Sequence, residues 1–488
     1  MKKFFLFLFV LTLIAVACAP AVEPTKAPVA PSSSSAAVSS SSVASSVAPT
    51  VALPTKAPEP TKAPEATKPP ASSSSSAASS AAPSSAASSS AAVSVSPNAL
   101  KLTFWHSLSG NTGKALEAMV TKFNQTHSNV QITSIYQGAY ADIAAKLTAA
   151  VTAKTLPDVA QMGGAPTMAD SGAIIPVADL VSKEDLADIY PGFWDYNKFN
   201  GKVVSMPYNN SIPVLYYNKD LFTAAGLDPN KPPTTWDELV KAAQALTKDT
   251  NNDGKTDQWG FNTHTDTNWY LSAMILQNGG KILSDDGKKV VYNSPEGVEA
   301  LQFWADLVNK YKVMPSNQHA QAQADFVSGK LGMLMRSSAT LGTLTNDAKF
   351  KVGLAPLPCK KSCSEPLGGA SLLIFKTTAE KQKAAWEFAQ WMTSAENTVN
   401  LFIQTGYVPL RKSVADSTAL KDYLKSSPNA QVLVDAVKYS SAIPIFSELG
   451  NSDAELVKAT QKMELGQGTA KEALDAAANL INKNLAGQ

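Results

Sequence analysis

The stretch from Ala19 to Asn98 decides how much of this 488-residue chain can build a core. It consists almost entirely of Ser, Ala, Pro, Val and Thr, has Leu53 as its single leucine, and contains no aromatic residue. Pro-Thr-Lys-Ala-Pro recurs from Pro24, Pro54 and Pro60. A segment of this kind buries too little apolar surface to offset the entropy of ordering it, so a disordered tether is expected. A flexible chain of that length spans roughly 50 Å r.m.s., and the prolines extend it further. Residues 99–488 remain, enough for two lobes with sizeable cores.

Ahead of the tether, Lys2-Lys3 precede the apolar run Phe4 to Val16, which ends in small residues and Cys18. The run falls short of the ~20 residues that cross a bilayer, so it reads as an export signal over residues 1–17. Ala15-Val16-Ala17-Cys18 resembles a bacterial lipobox, which implies lipidation at Cys18 and anchoring to the outer face of the cytoplasmic membrane. Two cysteines are left, Cys359 and Cys363, four residues apart. In an oxidising compartment they are expected to close a small disulfide loop.

Charge excludes one class of partner. With 42 basic and 40 acidic residues, net charge +2, and arginines only at 336 and 411, the chain has no nucleic-acid footprint. Catalytic signatures are also missing: there is no Gly-x-Ser-x-Gly elbow, and the four histidines are scattered. Asp249, Asn251, Asp253 and Asp257, with Gly254 at the sixth position, match the first half of a calcium loop, although the twelfth position is Gly260. A structural calcium ion and a solvated Asx turn are the two readings of that loop. No cofactor is required.

Strands and helices alternate along the folded part. Leu100 to Trp105 reads as a strand, followed by a helix bearing Leu116, Met119, Val120 and Phe123, and then by a strand from Val130 to Tyr136. This is an α/β pattern, whose binding crevice lies at the carboxyl ends of the strands. Thr235-Trp236-Asp237-Glu238 predicts a capping box, and Ser294-Pro295 another helix start. Pro207 and Pro213 stiffen the segment between them, which displays Asn209, Asn210 and Ser211 before an apolar run from Val214 to Tyr217. Trp105, Tyr140, Trp269 and Tyr407 lie in polar or glycine-rich stretches, where a flat ring can receive the C–H face of a sugar.

Phe104-Trp105-His106-Ser107, Pro207 to Asp220, Ala225-Gly226-Leu227-Asp228-Pro229, Gly368-Gly369-Ala370-Ser371-Leu372 and Thr405-Gly406-Tyr407-Val408-Pro409 together carry a resemblance. Over residues 99–488 the chain resembles extracellular solute-binding proteins of ABC importers, the sn-glycerol-3-phosphate-binding and maltose-binding type. The resemblance implies a two-lobed periplasmic-binding-protein fold, with a hinge and a ligand cleft. Lobe 1 would hold about 99–207 and 333–375, and lobe 2 about 213–330 and 378–488. It also implies a monomer that presents its ligand to the membrane subunits of a permease.

The ligand-binding residues expected on these grounds are Trp105, His106, Tyr140, Gly164, Asn209, Asn210, Ser211, Trp269, Arg336, Ser337, Ser338, Gly369 and Tyr407. Two positions depart from the phosphate-binding pattern: an acidic residue is replaced by Gly164, and an arginine by Leu456. Arg336, beside Ser337-Ser338, offers a substitute for that arginine. The departures favour a neutral sugar or polyol, with sn-glycerol-3-phosphate or a glycerophosphodiester as the alternative. A secreted glycoside hydrolase and a surface carbohydrate-binding adhesin are the rival classes, separable by turnover and by affinity for immobilised polymer.

Overall fold

The computed structural model describes residues 96–487 except 164, 439 and 442–448. The signal segment, Cys18, nearly all of the tether and Gly164 lie outside the described residues. Among the described residues no helix is long and apolar enough to cross a membrane.

The described residues form thirteen strands: β1 (Leu100–His106), β2 (Val130–Tyr136), β3 (Val159–Met162), β4 (Lys198–Phe199), β5 (Lys202–Val203), β6 (Met206–Ser211), β7 (Pro213–Asn218), β8 (Trp259–Thr263), β9 (Leu331–Ser337), β10 (Val352–Ala355), β11 (Glu365–Pro366), β12 (Gly368–Ile374) and β13 (Ser440–Ser441). The first lobe is built on a five-stranded sheet in the order β2-β1-β3-β12-β6, the second on a four-stranded sheet in the order β10-β7-β9-β8. β1 runs parallel to β2 and β3, while β12 is antiparallel to both β3 and β6.

The helix Gly110–Thr126 lays Leu116, Met119, Val120 and Phe123 into the first lobe's core. Phe388, from the helix Ala379–Met392, meets Phe104 and Phe123 edge-on at 5.3 and 5.0 Å. Pairs of this geometry add about 0.5–1.5 kcal/mol beyond their buried area. In the second lobe Thr235 caps the helix Trp236–Leu246 by accepting from the Glu238 N–H, and Ser294 caps Pro295–Asn309. Glu238 reaches one residue further back than a capping box requires, accepting the backbone N–H and hydroxyl of Thr234.

The proline-marked segment is continuous strand on both sides of one residue, Ile212. β6 and β7 are buried throughout. Pro207 is tolerated because β6 is the edge of its sheet and pairs at an irregularity between Ala370 and Ser371. Pro213 opens its strand, the other position where a missing donor costs little. At the crossing the Ser338 N–H donates to the Ile212 carbonyl (2.8 Å), and the Ile212 N–H donates to the Ser338 hydroxyl (3.3 Å).

The division of the chain between lobes differs from the sequence expectation at two places. β9 and β10 pair with β7, so 333–337 and 352–355 lie in the second sheet. Conversely, the helix Ala379–Met392 packs Phe388 on Phe104 and Phe123, and the helix Ala395–Thr405 packs on Gly110–Thr126, both in the first lobe, whereas the helices Leu449–Glu464 and Ala470–Leu485 return to the second lobe's core. The reason is topological: strand pairing partners and amphipathic faces are chosen across hundreds of residues, and sequence order does not display them. β11 and β13 pair in parallel, and each lies in a link between the lobes.

Candidate functional site

In the first lobe the site is assembled around a glutamine in an otherwise apolar strand. Gln161 on β3 is fully buried. Its Oε1 accepts the N–H and hydroxyl of Ser107 (2.9 and 3.0 Å), which leaves its Nε2 to donate to Asn209 Oδ1 on β6 (3.0 Å). Asn209 in turn donates from Nδ2 to the Tyr140 hydroxyl (3.4 Å). Tyr407 closes the group, its hydroxyl interacting with Asn209 and Tyr140. Burial pushes both tyrosine hydroxyls up, so each stays protonated and able to donate. Tyr140 nevertheless leaves 41% of its surface open, since it stands at the start of its helix with only its hydroxyl end reaching inward.

Tyr407 is placed by the residue before it. Gly406 ends the helix Ala395–Thr405 at φ +95°, and a Cβ there would stand 2.2 Å from the Ser338 carbonyl oxygen. Only glycine allows both the left-handed turn and the close approach. The Val408 N–H then donates to the Asn210 carbonyl (2.9 Å), tying the loop to β6.

The second lobe faces this group with Trp269, Asp266, Tyr270 and Arg336. The Trp269 indole lies against Gly368 of β12, where a Cβ would stand 2.7 Å from the ring. Asn210 donates from Nδ2 to the Gly368 carbonyl (3.1 Å), but its Oδ1 is buried without a partner, as is Trp269 Nε1. An acceptor and a donor are therefore unsatisfied in two residues that both touch Gly368. Arg336 meets Asp266 (3.4 Å) and Gln323 (3.3 Å), and the Asp266 carboxylate also acts on Tyr140 across the cleft. His264, 3.9 Å from Asp266, is pushed down to about 4 by burial and then by Arg336, so it adds no charge at neutral pH.

Other expected residues are placed differently. His106 is buried and directed at Glu117 of the neighbouring helix (3.1 Å), between Phe104 and Tyr136. Trp105 packs with the cluster containing Ile143, Leu147 and Met162, because alternation along β1 sends it to the opposite face. The Ser338 hydroxyl is spent on the Ile212 N–H, and that of Ser337 accepts from Ala339. Ser211 is buried beside the crossing, and Gly369, at φ +96°, accepts the Tyr196 hydroxyl on its carbonyl (3.1 Å). Leu456 is buried in the second lobe's core, whereas Asp453, one turn earlier on the same helix, interacts with Asn268 and acts on Tyr196 of the first lobe.

Cys359 and Cys363 are joined by a disulfide, their Cα atoms 5.2 Å apart. In the loop 249–257, Asp249 accepts the N–H groups of Asp253 and Gly254, Asn251 accepts that of Asp253, and Asp257 accepts Thr250. These oxygens are engaged with the loop's own backbone, and among the described residues no group of three His, Cys, Asp or Glu is gathered to hold a metal.

Residues 118–428 match the family model described as bacterial extracellular solute-binding protein. The chain belongs to that family. This solute-binding protein is 29% identical over 382 residues to the sn-glycerol-3-phosphate-binding periplasmic protein UgpB of Brucella melitensis biotype 1, covering 75% of this chain and 85% of the relative. The cyclic alpha-maltosyl-1,6-maltose binding protein of Arthrobacter globiformis superposes with a TM-score of 0.69 at 28% identity, covering 80% of this chain and all of that one. An ABC transporter solute-binding protein of Thermotoga lettingae, bound to alpha-D-tagatose, gives 0.69 at 25% identity, with 79% and 99% covered. The matching family is extracellular and the UgpB relative is named as periplasmic, so the chain belongs to a family of exported proteins.

The sequence reading missed Gln161, Tyr196, Asp266 and Asp453 as cleft residues. Gln161 carried a signal, a polar residue at a fully buried strand position. The other three had none, because their neighbours lie far away in the sequence, as Gly369 does from Tyr196 and Arg336 from Asp266.

Proposed function

We propose that this solute-binding protein captures a neutral sugar or sugar-like polyol between its lobes and delivers it to an ABC permease, held to the membrane by lipid on Cys18. The observation that carries the ligand class is the pair of buried, unpartnered atoms in two residues that both touch Gly368, Asn210 Oδ1 and Trp269 Nε1, beside the neutral cluster of Tyr140, Gln161, Asn209 and Tyr407. Buried polar groups left without partners are costly, and hydroxyls that both donate and accept would satisfy acceptor and donor together. The indole supplies an apolar face for the sugar ring. Sugar-binding relatives support this reading. The UgpB relatives support a second one, sn-glycerol-3-phosphate or a glycerophosphodiester, for which Arg336 is the cation at hand.

Closure on ligand does no covalent chemistry in this reading. Thermal-shift measurements on the full chain with maltooligosaccharides, tagatose, sn-glycerol 3-phosphate and glycerophosphodiesters test it. A ligand at a thousandfold excess over its Kd adds about 4 kcal/mol of stability. Stabilisation by sugars is expected, and no shift with any of these compounds would count against a cleft for polyols. Replacement of Cys18 by Ser is expected to release the protein from membranes into the medium.

A further inference from the structure

We propose that Asp266 sets this cleft against anionic ligands by holding the Arg336 guanidinium as its own partner. The inference rests on the solute-binding reading above and deepens it by naming the charge class the cleft accepts. Of the chain's two arginines, Arg411 is buried and committed to Asp185 (2.7 Å), Asp188 (3.2 Å) and the Thr393 carbonyl (2.6 Å). Arg336 is the other, joined to Asp266, whose carboxylate acts on Tyr140 across the lobes, and its guanidinium is engaged on two sides, by Asp266 at 3.4 Å and Gln323 at 3.3 Å.

Asp266 occupies the N-cap of the helix Thr267–Gln277, where an aspartate ordinarily accepts an N–H of its own helix. It makes no such bond; its backbone carbonyl accepts Trp269 and Tyr270, and its carboxylate turns to Arg336. The two partners differ in access. The Arg336 side chain is 15% exposed and that of Asp266 56%, so a ligand meets the carboxylate before the cation. Asp453 brings a second carboxylate near Asp266, and His264 contributes no charge at neutral pH. A phosphoryl group reaching Arg336 must therefore stand beside a like charge, whereas a hydroxyl can donate to the same carboxylate.

The test compares maltotriose with sn-glycerol 3-phosphate on the full chain by calorimetry, for wild type, Asp266→Asn and Asp266→Asn/Arg336→Gln. Because no cap bond is lost, Asp266→Asn is expected to fold as wild type, checked by circular dichroism. The ratio of phosphate affinity to sugar affinity should rise tenfold or more in Asp266→Asn, and fall back when Arg336 is also replaced. A ratio within twofold of wild type would overturn the inference, as would a wild-type protein already binding the phosphate ester more tightly than the sugar. If no variant binds maltotriose, the sugar reading fails on its own. The change in sn-glycerol 3-phosphate affinity between wild type and Asp266→Asn still decides the role of Asp266.

Discussion

Trp269, on a helix of the second lobe, lies directly against Gly368, on a strand of the first. The contact exists because Gly368 has no side chain, and it places an indole where the backbone of one lobe forms the floor for the other. Gly368→Ala is expected to displace the ring, since a Cβ would stand 2.7 Å from it. We expect ligand affinity to fall by about tenfold, ~1.4 kcal/mol, with a shifted tryptophan emission spectrum. Unchanged affinity together with an unchanged spectrum would show that the indole is not part of the site.

Asn209 is the joint of the neutral cluster, linked to Gln161 and Tyr140. Asn209→Ala leaves the buried Gln161 amide without its acceptor, which costs about 1–3 kcal/mol of folding stability. Denaturant melts should show that loss, and calorimetry a larger loss of ligand affinity than of stability. Equal losses would assign Asn209 a structural role alone.

Glu365 gives a pH dependence with a definite sign. It is 6% exposed on β11, its Oε2 has no partner, and burial pushes its carboxyl up to about 7, opposed only by the Leu357 N–H. The helix Thr267–Gln277 packed on β11 carries no charged side chain. A raised carboxyl pKa means that the folded state holds the proton more tightly. Its contribution is therefore fully present below about 4.5 and is lost as pH rises to about 7. The loss is about 3 kcal/mol across that window. Glu365→Gln should remove it, so the stability difference between variant and wild type should grow from pH 4.5 to 7.5. Parallel stability curves would show that Glu365 ionises normally.

Reducing the Cys359–Cys363 disulfide should barely move global stability, because so short a loop removes little entropy from the unfolded chain. The loop is also tied to the second lobe by the Lys361 and Ser362 N–H groups, both donating to the Gln277 carbonyl (2.9 Å each). A melting temperature within a few degrees of the oxidised protein is expected; a large drop would assign the disulfide a role in folding.

Much of the architecture was legible in local pattern. The stiff segment from Pro207 to Tyr217 reads as a crossing because proline restricts the backbone wherever it stands, and Thr235 and Ser294 announce helix starts because capping acts over three residues. Tyr140, Asn209 and Tyr407 were recognisable as candidates. His106 is buried and directed at Glu117 of the neighbouring helix, a contact that no local pattern displays.

The sequence by itself determined the α/β alternation and the neutral polar chemistry on offer, both properties of residues close together in the chain. Tertiary structure decided which sheet receives β9 and β10, and that the helices Ala379–Met392 and Ala395–Thr405 pack with the first lobe. It also decided that Arg336 faces Asp266 rather than an open cleft. Those outcomes depend on pairings between residues far apart in sequence, such as positions 266 and 336, whose distance and burial are fixed only when the whole core closes.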